Sequence, residues 1–192
     1  MNAGMIMPIV QYGDAVLRKK CKPLTEVTAE HHKLAQDMIE TMEDASGVGL
    51  AAPQVGIDLQ FAVVDVSHDP DCISFLRING EDIAPEDMPA HMPIVFYNPE
   101  LQLLPPHESG QEGCLSIQGV QAKVNRPSIV KASLPQLDGT TMELEADGLL
   151  ARAIQHEVDH LQGILFTDRL SSVGKARVAT SLKRLTKRQR GW

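Results

Sequence analysis

The clearest hydrophobic pattern in the chain lies at residues 148–163. Its apolar side chains cover much of a helical circumference. They belong to Leu149, Leu150, Ala153, Ile154, Val158 and Leu161. Asp147 precedes the run as a candidate N-cap, and Gly163 ends it. A helix that is apolar on most sides belongs inside a domain, so the pattern predicts a buried helix.

The remaining pattern predicts a mixture of helices and short strands. Apolar residues at helical spacing indicate helices at residues 27–45, with Thr25 or Thr28 as the cap, and after residue 170. Strands are expected at residues 59–66, 93–98, 120–124, 128–134 and 141–145, with a hairpin turn at Asp138-Gly139. We expect a partly extended lead-in at residues 9–24, a surface excursion at residues 67–93 and a loop at residues 99–111. This order predicts an α+β fold, in which mainly antiparallel sheets pack around a central helix, with N- and C-terminal helices.

Composition narrows the class of protein. The 192 residues are 43% hydrophobic, enough for one domain with a sizeable core. No apolar run is long enough to span a membrane, and no signal peptide is visible. Three cysteines are a sparse, odd set, typical of a reducing compartment. We therefore expect a cytoplasmic protein that binds neither membrane nor DNA.

Charge is distributed unevenly along the chain. The net charge is −7, but residues 171–192 contain seven basic side chains and no acid. Residues 1–170 therefore carry a net charge of −14. This asymmetry predicts an acidic domain at residues 1–170 with a basic helix at residues 171–192 appended to it.

The predicted buried helix contains a metal-binding pattern. His156 and His160 are four residues apart and therefore project from the same face, so both imidazoles can reach one ion. Glu157 follows the first histidine, as in the His-Glu-x-x-His pattern of metal-dependent hydrolases, where the glutamate is the general base. Two histidines inside an apolar helix are costly unless they are coordinated or paired. Burial therefore favours a metal site over a pair of surface histidines.

Two other stretches carry candidate chemistry. Residues 47–56 are rich in glycine and nearly uncharged, and Gln54 is their only polar side chain. They fit a tight turn or a loop along a ligand equally well. Cys114 lies at a predicted loop-to-strand transition, 42 residues before His156. One cysteine and two histidines give three ligands and one open position, which is the catalytic rather than the structural pattern.

Taken together, three stretches resemble the signature motifs of the peptide deformylases. They are Gly47-Val48-Gly49-Leu50-Ala51-Ala52-Pro53-Gln54-Val55-Gly56, Glu112-Gly113-Cys114-Leu115-Ser116 and Gln155-His156-Glu157-Val158-Asp159-His160-Leu161. The resemblance runs from Gln11-Tyr12-Gly13 to about Asp168. It implies a single catalytic domain that removes the formyl group from the initiator methionine of new polypeptides. It also implies one divalent ion per chain: Fe²⁺ is favoured, with Zn²⁺, Ni²⁺ or Co²⁺ as alternatives.

The resemblance also implies a role for each motif residue. Cys114, His156 and His160 would be the metal ligands, and Glu157 the general acid–base. Gln54 and the Leu115 N–H would stabilise the oxyanion, whereas Val48, Gly49 and Gly113 would contact the substrate. The sequence departs from the family at Gln118, where proline is common, and in residues 67–93, which are longer than in compact members.

Three questions stay open at this point. A zinc peptidase or an inactive metal-binding protein would carry the same His-Glu-x-x-His pattern. Asp159 is either a partner of a ligand histidine or a surface carboxylate. The basic C-terminal helix is either simply solvated or docks on ribosomal RNA, which electrostatic attraction would favour.

Overall fold

A computed structural model describes residues 4–69 and 73–189 of the chain. Three α-helices are present in this part: α1 at Ala29–Asp44, α2 at Gly148–Leu161 and α3 at Ser172–Gln189. Thr28 is the N-cap residue of α1, and its N–H donates to Nδ1 of His31. Asp147 occupies the N-cap position of α2, but its carboxylate accepts hydrogen bonds from the N–H groups of Ser74 and Phe75 instead of capping the helix.

The strands form two antiparallel sheets. The first has the order β1-β2-β5, from Gly49–Ala51, Phe61–Val64 and Ile94–Tyr97. The second has the order β4-β3-β8-β7-β6, and its strands in chain order are Leu76–Ile78, Glu81–Ile83, Glu100–Glu112, Ala122–Pro135 and Thr141–Ala146. The prediction of an α+β fold with antiparallel sheets is confirmed.

Helix α2 contacts strands of both sheets, namely β1, β2 and β7. Leu150, Ile154 and Leu161 are fully buried and belong to the main core, which also takes residues from both sheets. The buried helix predicted at residues 148–163 is therefore present. Its burial places His160 and Glu157 inside the protein, where polar groups need partners.

The prediction of a loop at residues 99–111 is wrong, because strand β6 runs through these residues. Pro105 and Pro106 obscured the strand in the sequence. Proline is tolerated at a sheet edge, where no neighbour needs its missing N–H. β6 is such an edge strand, and its pairing with β7 shifts register between Leu104 and His107.

Two further predictions need correction. The surface excursion at residues 67–93 contains β3, β4 and a short 3₁₀ helix at Met88–His91, and Leu76, Ile78 and Met88 are buried in the core. Residues 70–72 of this stretch lie outside the described part. The strands predicted at residues 120–124 and 128–134 are one continuous strand, β7. The turn at Asp138-Gly139 is present, and Gly139 adopts a positive φ of 86° there.

Helix α3 packs onto a third cluster of apolar residues, which contains Leu17, Ile117 and Phe166. Val178 is buried in this cluster, and Leu182 and Leu185 are partly buried against it. Val173, near the start of the same helix, is exposed. Within the described residues, no helix combines the length and apolar character needed to cross a membrane.

Candidate metal centre

Cys114, His156 and His160 converge in the structure. One potential ligand atom from each residue lies within 4.8 Å of the other two. Sγ of Cys114 is 3.3 Å from Nε2 of His160, and Nδ1 of His156 is turned away toward Glu112, at 3.1 Å from Oε2. A thiolate and two imidazoles are ligands that zinc and ferrous iron both accept. The three side chains therefore form a potential metal-binding group.

Local structure explains why these ligands meet. His156 and His160 lie on one face of α2, and their rings contact edge to face with centroids 5.0 Å apart. Cys114 follows the end of β6 and starts a tight turn, in which the N–H of Ile117 donates to the Cys114 carbonyl. Phe166 also stacks on the His156 ring, with centroids 6.2 Å apart. The ring of His156 is thus held from several sides.

The partner of the candidate ligand His156 is Glu112. Its carboxylate accepts from His156 and is held by two guanidinium groups, those of Arg126 and Arg152. A carboxylate on the second ring nitrogen fixes the orientation and the tautomer of a metal-binding histidine. Asp159, which the sequence left open between two roles, is buried and pairs with Arg126 and Arg169, and within the described residues no hydrogen bond joins it to His156 or His160.

These contacts make an ionic network, buried except at Arg169, that joins four elements. Glu112 ends β6, Arg126 lies on β7, Asp159 lies on α2 and Arg169 ends a 3₁₀ helix at Phe166–Arg169. The side chain of Arg126 is only 2% exposed, and it bridges the two acids. Buried charges are tolerated when each one is paired and hydrogen-bonded, as here.

The two histidines have opposite electrostatic environments. Burial lowers the pKa of His156, but hydrogen bonds with Cys114 and Glu112 raise it more, and the result is about 10. Burial and the neighbouring charge of His156 hold the pKa of His160 well below its usual value. The surroundings of His156 therefore stabilise positive charge, whether a proton on the ring or a cation bound to it, and His160 is a neutral imidazole. Its Nδ1 is buried and has no hydrogen-bond partner within residues 4–69 and 73–189.

Glu157 lies beside these ligands and is buried. Burial is the largest influence on its carboxyl group and raises the pKa to about 7, although the charges of His156 and Arg126 act in the opposite direction. Its Oε2 is also without a hydrogen-bond partner in the described part of the chain. Oε1 lies against the backbone of Gly49, where an added Cβ would be only 2.4 Å away. Gly49 therefore leaves room for this carboxylate.

Gln54 also reaches the candidate metal centre. It lies in a 3₁₀ helix at Ala52–Val55 and is 1% exposed. The N–H of Ala51 donates to its Oε1 at 2.8 Å, and its Nε2 points to Sγ of Cys114 at 3.4 Å. Because the amide oxygen is already engaged by Ala51, the NH₂ end of the side chain lies toward Cys114 in the candidate metal centre.

A cavity of about 760 Å³ opens onto the centre. Residues 46–49 and Gln54 form one wall, residues 111–115 form another, and α2 contributes residues between Leu149 and Glu157. Val48, Gly49 and Gly113, the predicted substrate contacts, all line this space, and so does Gln118. The glycine-rich stretch left open in the sequence thus combines a turn with a cavity wall.

Sequence reasoning missed the residues that support the ligands. Arg126, Arg152, Arg169 and Phe166 lie outside the three motifs and have no distinctive local pattern. Glu112 lies inside a motif, but nothing in its neighbours indicates contact with His156. The only available signal for Arg152 was its position four residues before His156, which puts both on one helical face.

Comparison with known proteins agrees with this geometry. A family model described as polypeptide deformylase matches residues 6–176. A peptide deformylase from Methylacidiphilum infernorum is 42% identical over 181 residues, which cover 94% of this chain and 93% of that protein.

Solved structures give the same result. The peptide deformylase of Synechococcus elongatus, crystallised in complex with actinonin, has a TM-score of 0.75 at 36% identity, covering 98% of this chain and 90% of that one. The Legionella pneumophila peptide deformylase has a TM-score of 0.76 at 33% identity, covering 97% and 99%. The chain belongs to the polypeptide deformylase family, metal-dependent hydrolases that remove the formyl group from newly made polypeptides.

Proposed function

We propose that Cys114, His156 and His160 hold one divalent metal ion, at which the chain hydrolyses the formyl group of N-formyl-methionyl peptides. The close approach of the three ligand atoms supports this assignment. Nε2 of His160, which lies 3.3 Å from Sγ of Cys114, and the Glu112 contact to His156 fit a metal site as well. Three protein ligands leave a coordination position open, as catalytic sites require.

The chemistry of the donors is compatible with more than one ion. A thiolate with two imidazoles suits zinc and ferrous iron. We favour Fe²⁺ because of the family resemblance, with Zn²⁺, Ni²⁺ or Co²⁺ as substitutes. The bound ion would supply Lewis acidity, which makes water nucleophilic near neutral pH and polarises a carbonyl.

Glu157 is the proposed general acid–base. Hydrolysis of a formamide needs a group that takes a proton from the attacking water and gives one to the departing α-amine. Glu157 follows a ligand in the chain, lines the cavity, and has an oxygen with no partner among the described residues. The products of the hydrolysis would be formate and a peptide with a free N-terminal methionine.

Gln54 and the backbone N–H of Leu115 are the proposed oxyanion donors. As water adds to the formyl carbon, negative charge develops on the formyl oxygen, and donors already aimed at it lower the barrier. The Ala51 N–H fixes the Gln54 amide with its donors toward Cys114. Leu115 follows Cys114 directly, so its N–H lies beside the same ligand.

The cavity walls fit an extended peptide. Glycine backbone at Gly49 and Gly113 allows close approach of a substrate chain, and Val48 offers an apolar surface. We propose that these three residues contact the backbone and the methionine side chain of the substrate. The partner is then a nascent formylated chain, which fits the expectation of a cytoplasmic enzyme.

We also propose that residues 1–170 are the catalytic domain and that the basic C-terminal helix docks on the ribosome. Val178 and Leu182 fasten α3 to the domain, whereas Lys175, Arg177 and Lys183 are exposed. Exposed cations are available to the phosphates of ribosomal RNA. Ribosome binding that resists high salt, or that persists when the tail cations are replaced, would contradict this role.

The deciding experiment measures formate release from a formyl-Met peptide. Protein is prepared without oxygen, loaded with Fe²⁺, and compared with Glu157→Ala and Gln54→Ala, with metal content and folding measured on each sample. We expect turnover in the parent protein, a loss on the order of 10²–10⁴ in Glu157→Ala, and a loss on the order of 10²–10³ in Gln54→Ala. A folded, metal-loaded protein that releases no formate would overturn the proposal.

A further inference from the structure

The segment Ile9 to Tyr12 joins the two elements that carry the proposed oxyanion donors. The N–H of Val10 donates to the Gln54 carbonyl at 2.8 Å, and the N–H of Tyr12 donates to the Ser116 carbonyl at 2.7 Å. One end of this short segment is therefore fixed to the 3₁₀ helix of Gln54, and the other end to the turn that follows Cys114. We refer to residues 9–12 as the bridging segment.

The side chain of Gln11 strengthens the second attachment. Its Nε2 donates to the Ile9 carbonyl at 3.1 Å and to the Leu115 carbonyl at 3.3 Å. A primary amide has two N–H donors, so both can be engaged at once. Gln11 thereby links the bridging segment to the residue whose N–H is a proposed donor.

The position of the Leu115 carbonyl makes this contact informative. Residues 114–117 form a tight turn closed by the hydrogen bond from the Ile117 N–H to the Cys114 carbonyl at 2.9 Å. The Leu115 carbonyl belongs to the central peptide group of that turn, the group whose rotation distinguishes type I from type II turns. A hydrogen bond to that carbonyl restricts the rotation, and with it the backbone of Leu115.

The other described contacts between the two neighbourhoods are less directional. Leu115 packs against the apolar cluster that contains Ala52 and Val55. Gln54 and Leu115 lie 61 positions apart in the chain, on different elements. The side chain of Gln54 reaches Cys114 only through a 3.4 Å contact to sulfur, which is a weak acceptor. The bridging segment, in contrast, holds the backbone of both neighbourhoods with ordinary hydrogen bonds.

We infer that Gln11 is a positioning residue, which fixes the Leu115 turn relative to Gln54 and so sets the geometry of both donors toward the formyl oxygen. This inference rests on the proposed roles of Gln54 and Leu115. Displacing a catalytic group by about 1 Å can cost as much as 10² in rate. Loss of the Gln11 contact is therefore expected to lower kcat about tenfold to a hundredfold and to change KM little.

The test uses Gln11→Ala and Gln11→Met in the full metal-loaded chain. Methionine keeps nearly the volume of glutamine but lacks both donors, so it separates the hydrogen bonds from packing. Gln136→Ala is the matched control, because the Gln136 side chain also donates to a carbonyl two residues before it, that of Leu134, at a distance of 2.9 Å. This control lies in the hairpin between β7 and β8 and should retain full kcat.

Four quantities are measured on each variant: kcat, KM, metal content and the affinity for a peptide hydroxamate. A hydroxamate presents an oxygen to the same donors, so its affinity should fall in parallel with kcat, while metal content and folding remain those of the parent. The double variant Gln11→Ala with Gln54→Ala should lose less than the product of the two single losses, because both act on one oxygen.

The outcomes separate this inference from the function on which it rests. If Gln54→Ala loses turnover and both Gln11 variants keep it, only the role of Gln11 is overturned. If the kcat of the Gln11 variants falls only in proportion to their metal content or folded fraction, the positioning role of Gln11 is also overturned, because the loss is then a structural effect. If Gln54→Ala keeps full turnover, the oxyanion assignment and the role of Gln11 fail together.

Discussion

Replacing Glu112 with glutamine should weaken the metal centre and the fold together. The Glu112 carboxylate is 4% exposed and accepts from Arg126 at 2.7 and 2.9 Å, from Arg152 at 2.8 Å and from His156 at 3.1 Å. Glutamine keeps the size of the side chain but removes the negative charge. It also turns an N–H₂ group toward groups that are themselves donors.

The structure sets the magnitude of the effect. Breaking a buried ion pair costs about 3–5 kcal/mol, because the remaining charge stays buried. Arg126 would keep Asp159, and Arg152 would keep the carbonyls of Val124 and Glu108, so the lower end of that range applies. We expect a loss of about 3 kcal/mol in the free energy of unfolding. Metal affinity should fall about 10- to 100-fold, the usual effect of losing a carboxylate behind a ligand histidine.

A matched control is available at the protein surface. Glu145 also faces two cations, Lys131 at 3.2 Å and Arg77 at 3.8 Å, but its side chain is 24% exposed. Water screens these pairs, so Glu145→Gln should cost less than about 1 kcal/mol. Urea unfolding of the metal-free proteins gives the stability difference, and competition with a chelator gives metal affinity. Equal effects of the two variants on unfolding, with metal affinity unchanged, would refute the reasoning.

Three further predictions concern other parts of the structure. Gly49→Ala would place a Cβ 2.4 Å from Oε1 of Glu157 and so displace this carboxylate. We therefore expect a loss on the order of 10² in kcat, with metal content retained. An unchanged kcat would mean that catalysis does not need the carboxylate in its observed position beside Gly49. Hydrogen bonds from Lys33 and from the Met5 N–H lower the pKa of Asp37. The ionised Asp37 carboxylate therefore stabilises the folded protein at pH values above about 3.9, the pKa of aspartate in the unfolded chain. This stabilisation is lost as the pH falls through the lower pKa of Asp37 in the folded protein. Asp37→Asn should thus lower the melting temperature at pH 7, and the difference should shrink in acid; a constant difference would exclude this origin. Gly163 has a φ of +72°, and a Cβ added there would lie 2.6 Å from the Arg18 carbonyl oxygen. Gly163→Ala should therefore lower the free energy of unfolding by clearly more than about 1 kcal/mol. Gly139→Ala, which has a φ of +86° and open space around it, measures the backbone cost alone, and equal losses would show that the contact is harmless.

Local patterns were sufficient to predict the helix that carries the candidate ligands. Residues 148–163 repeat apolar side chains at helical spacing, and α2 follows them closely. The same spacing put His156 and His160 on one face. Such features depend on residues within one or two turns, so the sequence displays them directly.

Long-range pairing could not be predicted in this way. β6 contains two prolines and many polar side chains, which usually indicate a loop. It is a strand because β7 supplies its hydrogen bonds, over a ladder that extends from Glu100 opposite Ser133 to Glu112 opposite Ala122. Since an edge strand has no second neighbour, its prolines cost little, and its sequence shows no clear alternation.

The candidate ligands meet because the distance from Glu112 to Cys114 along the chain after β6 matches the distance from His156 to His160 along α2. Glu112 ends β6 and Cys114 lies two residues later, whereas His156 and His160 are four residues apart on α2. Two residues of extended chain advance about 6.6 Å, and four residues of α-helix advance about 6 Å. Each residue of one pair can therefore face one residue of the other, and the observed contacts are Glu112 with His156 and Cys114 with His160. One candidate ligand, His156, thus receives its carboxylate partner and the other, His160, meets the thiol, an arrangement that neither motif reveals alone.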